Sequence, residues 1–131
     1  FTNNCDYGTP LFLYQADSTP QGAANIQGEL NGGIAWLSTG DCGSSGVNCG
    51  AVEFTLQNTG YSQADITLVG NHYYVYSLGF NFINGCSSGL FCDSANCSEA
   101  FHSPDIGPLE QCSVDNCGVS ENLARISIRD S

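Results

Sequence analysis

Eight cysteines, Cys5, Cys42, Cys49, Cys86, Cys92, Cys97, Cys112 and Cys117, fall within 131 residues. No other feature constrains the fold as strongly. An even, dense set in a short chain reads as a disulfide framework of an oxidising compartment, so four bridges and a secreted, extracellular protein are expected. Metal ligation is the competing use of cysteine. It needs paired C-x2-C knuckles or a Cys/His cluster, whereas the closest spacings here, Cys92 to Cys97 and Cys112 to Cys117, are C-x4-C with no histidine pattern. Neither a metal nor another cofactor is expected. Phe1 is read as the residue exposed by signal-peptide removal. The length suits one domain, 1–131, with one hydrophobic core, and no apolar run approaches the ~18 residues of a membrane helix.

Charge narrows the partners. Thirteen acids stand against two bases, Arg125 and Arg129, with no lysine, giving a formal charge of −11. Lys and Arg supply most non-specific affinity for nucleic acid and for anionic lipid, so both are excluded as partners. A hydrophobic content of 41%, with six tyrosines and seven phenylalanines, supports a folded chain over an acidic disordered one. The expected ligand is neutral or cationic, and the protein is expected to be a monomer.

Periodicity is that of short strands. In GAVEFTLQN (50–58), Val52, Phe54 and Leu56 share one parity, and Glu53, Thr55 and Gln57 the other. The same alternation predicts strands in 64–70, 72–82 and 123–130, with shorter candidates at 11–14 and 33–37; Asn and Gly dipeptides punctuate them. Sixteen glycines and few strong helix formers leave room for only one short helical turn, around 94–102. The fold class is therefore all-β, a sandwich or flattened barrel with disulfide-pinned loops.

Several landmarks occur in a telling order: NNC, TGDCG, VEFTLQN, ADITLV and the three-cysteine stretch GCSSGLFCDSANC. In that order the chain resembles the thaumatin-like (pathogenesis-related group 5) family, as a small fungal-type or truncated member. The resemblance runs from Asn3 to Cys97, and more loosely through LARISI. It implies a flattened β-sandwich of antiparallel strands and, for some antifungal members, binding or endo-hydrolysis of β-1,3-glucan. The long disulfide-rich helical region of full-length members is missing here. Of the acids and the arginine in the family's cleft, only Glu53 of VEF and Asp65 of DIT transfer. The second aspartate falls at Gly70, beside Asn71, and the arginine has no counterpart in AWLSTGDCG. For the cysteines, the resemblance and the short Gly/Ser loop both imply Cys42 with Cys49, and register with the family implies Cys86 with Cys117; the family's C-terminal partner of the first cysteine has no counterpart here, and Cys5 is matched with Cys112 instead.

Glu53 and Asp65 are thus the candidate catalytic pair. Two carboxyls on one sheet face serve glycosidic cleavage when one donates a proton and the other acts as nucleophile or base; otherwise they are solvated strand residues in an acidic protein. Asn71, Tyr73, Asp93 and Glu99 are candidate ligand contacts, Tyr73 because aromatic faces stack on sugars. Asp93 and Glu99 are there as remnants of the family's second cleft wall. His72 and His102 are read as structural or surface histidines, and Trp36 as core or near-core. Asn96 fits a glycosylation sequon whose middle residue is Cys97. The expected ligand is β-1,3-glucan or another neutral cell-wall polysaccharide, with weak endo-β-1,3-glucanase activity possible in principle; a basic protein or peptide held by the acidic surface is the alternative.

Overall fold

The computed structural model describes residues 2–3, 8–22 and 28–123. The described chain is all-β. Its strands are β1 (Thr2–Asn3), β2 (Thr9–Tyr14), β3 (Asp17–Gln21), β4 (Leu30–Ser38), β5 (Ala51–Leu56), β6 (Ser62–Thr67), β7 (Leu78–Ile83), β8 (Gly89–Cys92), β9 (Glu110–Cys112) and β10 (Gly118–Leu123). They form a six-stranded antiparallel sheet, β3-β2-β4-β5-β6-β9, and a four-stranded sheet, β1-β10-β7-β8, in which only the β1–β10 pair is parallel. The two sheets pack face to face as a sandwich.

Alternation explains which residues enter the core. Phe12, Ala35, Leu37, Val52, Phe54, Ala64 and Ile66 from the large sheet meet Leu78, Phe80 and Phe82 from the small one. Each side chain buried there contributes on the order of 1.5–3 kcal/mol. At Gly33, a Cβ would lie 2.7 Å from the Phe54 ring, so β4 carries a glycine where the core ring crosses its backbone.

Trp36 is 2% exposed but lies outside that cluster. It points to the opposite face of β4 and is covered by the 42–49 loop, where Gly46 adopts φ +75 and a Cβ would stand 3.0 Å from the Trp36 Cβ. The tryptophan is therefore buried by a loop, outside the sheet-to-sheet core.

The alternation in 72–82 forms a strand only from Leu78 onward. Residues 72–77 instead make side-chain ties to the other sheet. The Tyr76 hydroxyl accepts from Leu37 N–H at 2.8 Å and donates to the Gly50 carbonyl at 2.8 Å. Tyr76, Phe80 and Phe82, which share one parity in the sequence, are buried, and Tyr73, of the other, is exposed. No helix forms at 94–102, which is a series of turns; the single short 3-10 turn lies at Ser44–Gly46. Of the expected strand 123–130, Leu123 closes β10 and the remainder lies outside the described residues, as do Arg125 and Arg129.

Three disulfides join described residues: Cys42–Cys49, Cys86–Cys112 and Cys92–Cys97. The second corrects the family-based pairing of Cys86 with Cys117 and of Cys112 with Cys5. Pairing of β9 with β6, Ser62 opposite Cys112, brings the Cys112 Cα to 6.0 Å from that of Cys86. Cys117, just before β10, is buried and forms no disulfide among the described residues, and Cys5 lies outside them.

Candidate binding cleft

The β5–β6 hairpin builds the floor of the site. Its turn is closed by side chains: Gln57 N–H donates to Ser62 Oγ at 3.0 Å, and the Gln57 amide donates to the Tyr61 carbonyl at 2.8 Å. That closure sets a register in which Glu53 faces Asp65 directly. Directly opposed residues project from the same sheet face, here the outer one, since Val52, Phe54, Ala64 and Ile66 fill the core.

On this face lies a cleft of about 400 Å³. Glu53 and Asp65 stand in it with Thr55 and Gln63, Gly32 and Ile34 extend the floor across β4, and Ser45 and Leu109 form opposite parts of the rim. Among the described residues, Glu53 and Asp65 are the only titratable groups lining it. No lysine or arginine occurs among the described residues.

Asp65 is the unusual member. Its Oδ1 is buried without a hydrogen-bond partner among the described residues. Burial, a hydrogen bond to Glu53 and the Glu53 charge push its pKa up from 3.8 to about 8. At neutral pH, Asp65 therefore keeps its proton, burial being the largest cause and the neighbouring Glu53 a further one.

The remaining candidates lie elsewhere. Asn71 is exposed in the loop after β6, and its carbonyl accepts from Asn48 N–H at 2.7 Å. Tyr73, 58% exposed, follows in the same loop. Asp93 is exposed beyond β8, and a Glu99 carboxyl oxygen accepts from Phe91 N–H at 3.0 Å on that edge strand. None of these four lines the cleft. His72 holds the 42–49 loop through the carbonyls of Gly46 and Cys49, and His102 sits 2.6 Å from the Cys97 carbonyl. Asn96 is exposed, with its Oδ1 accepting from the Ser94 hydroxyl at 3.1 Å.

Thr55, Gln63, Ser45 and Leu109 are among the lining residues that had not been singled out as site residues. Thr55 shares the outward parity of Glu53 and was legible in the alternation; Gln63 shares that of Asp65 but precedes the stretch read at 64–70. Ser45 and Leu109 arrive from loops, and no local pattern marks them.

Fold and cleft together define an all-β, disulfide-linked sandwich with an acid pair in a cleft on the outer face of one sheet. No protein-family model, curated protein or solved structure matches the chain.

Proposed function

We propose that the protein is a secreted, thaumatin-like glycan-binding protein whose cleft takes β-1,3-glucan or a similar neutral cell-wall polysaccharide. The observation that carries this reading is the pairing of Glu53 with Asp65, the two acids that transfer from the family resemblance, in one cleft. An open sheet face bearing hydroxyl, amide and carboxyl groups beside apolar Ile34 and Leu109 suits sugar hydroxyls and C–H faces. Three disulfides are compatible with an extracellular setting.

Binding is the first reading, and hydrolysis is tested beside it. Glycosidase carboxyls stand ~5 Å apart for retention or ~6.5 to 9.5 Å for inversion, leaving room for the scissile bond. Glu53 and Asp65 are directly opposed in the ladder, and Asp65 has a raised pKa. Retention on insoluble β-1,3-glucan by the wild type, and its loss in Glu53→Gln and Asp65→Asn, is the expected result. A wild type that washes through at every salt concentration sinks the reading. Release of reducing ends from soluble β-1,3-glucan, abolished in Glu53→Gln, would instead make the pair catalytic.

One observation favours a second reading, a basic peptide or protein as partner: among the described residues the cleft carries two carboxyls and no cation. Such binding weakens as salt rises, whereas binding of a neutral glycan does not depend on salt in this way.

A further inference from the structure

One rim of the cleft is built by the 42–49 loop, which presents Ser45. The Cys42–Cys49 disulfide fixes the two ends of that loop. It does not by itself fix the middle. Ser45 has φ 61, a left-handed conformation that a non-glycine residue adopts at a cost and keeps only when its surroundings impose it.

Within the loop, Gly43 N–H donates to the Val47 carbonyl at 2.7 Å and Gly46 N–H to the Gly43 carbonyl at 3.0 Å; the constraint from outside it comes from the loop after β6. His72 Nδ1 lies 3.1 Å from the Gly46 carbonyl and 2.8 Å from the Cys49 carbonyl. Both partners are acceptors only, so Nδ1 must carry the hydrogen. In parallel, Asn48 N–H donates to the Asn71 carbonyl at 2.7 Å. The residue immediately after Ser45 is thus anchored from outside the loop, and Gly46 also rests on Trp36.

We infer that His72 is the positioning residue of the cleft: by holding the Gly46 and Cys49 carbonyls it sets Ser45 at the rim, and so tunes glycan affinity without touching the glycan. The inference rests on the binding reading above. It assigns His72 a role in ligand selection that its distance from the acid pair in sequence does not suggest.

The protein carries its own reporter. Trp36 is the only tryptophan and lies beneath Gly46, so its emission reads the position of the rim in the free protein. The test is titration of a soluble β-1,3-gluco-oligosaccharide into the wild type, His72→Ala, His72→Asn and His72→Gln, with thermal melts to confirm folding. His72→Ala is expected to red-shift free Trp36 emission and to weaken binding about fivefold to tenfold, the scale of one modest hydrogen bond. Asn places an amide N–H where Nδ1–H stands and is expected to restore most of the affinity; Gln, whose amide sits one methylene further out, is not.

Ser45→Ala is expected to weaken binding in the wild type but to cost nothing further in His72→Ala, whereas Glu53→Gln costs the same in both backgrounds. Full affinity in His72→Ala, or an undiminished Ser45→Ala effect there, overturns the inference. Should His72→Ala fail to fold, the Asn and Gln variants decide: equal affinities overturn it. If the wild type binds no glucan, the binding reading fails on its own; an unchanged Trp36 spectrum in His72→Gln then removes the positioning role as well.

Discussion

Glu53 and Asp65 face each other across the β5–β6 ladder, and burial beside the Glu53 carboxyl raises the Asp65 pKa to about 8. The pairing has a stability consequence whose sign follows from linkage. Asp65 ordinarily titrates at 3.8 and in the fold at about 8. Between those values the unfolded chain has released a proton that the folded chain keeps, so this group favours folding in acid and that contribution is lost as pH rises through the window. Carboxyl-resolved NMR titration is expected to show Asp65 still protonated at pH 6. In Glu53→Gln its midpoint falls only part of the way to the ordinary value, because burial is the largest cause. A wild-type midpoint near 4 would refute the raised pKa of Asp65.

Glu121 should act in the same direction from the other sheet. It is 3% exposed, opposite Phe80 in the β7–β10 ladder, and burial raises its pKa from 4.5 to about 7. Its neutral form is the one the fold favours, so stability from this group is present below pH 4.5 and lost toward pH 7. Glu121→Gln is expected to raise the melting temperature at pH 8 and to change it little at pH 4. An equal shift at both pH values would show that ionisation is not the cause.

The Cys42–Cys49 bridge closes a short loop over Trp36. The chain-entropy model assigns a loop of this size roughly 2.5 kcal/mol. Replacing both cysteines with serine should lower stability by about that amount and make Trp36 emission more quenchable by iodide. Unchanged quenching would mean that His72 and Asn71 hold the loop unaided.

Tyr76→Phe keeps the ring and deletes the hydroxyl that links Leu37 N–H to the Gly50 carbonyl. Loss of this buried tie should cost about 1–3 kcal/mol by denaturant titration. It should also speed hydrogen exchange at the Leu37 amide, which would otherwise remain protected.

The protein's sequence determined its all-β class, the outward projection of Glu53 and the inward parity of Val52, Phe54, Phe80 and Phe82, because strand periodicity is local and depends only on neighbours two residues away. It also pointed to Cys42 with Cys49, through the short Gly/Ser loop between them and the family resemblance. Tertiary structure decided the rest. Alternation alone could not end the strand in 72–82, since residues 72–77 gain their bonds from Leu37, Gly46, Cys49 and Gly50, distant in sequence. Cys86 joined Cys112 because β9 pairs with β6, a contact across 26 residues of chain that no local pattern encodes. Register is likewise a property of two strands and their turn, so only the folded hairpin set Glu53 against Asp65, and only loops from elsewhere brought Ser45 and Leu109 to the cleft around them.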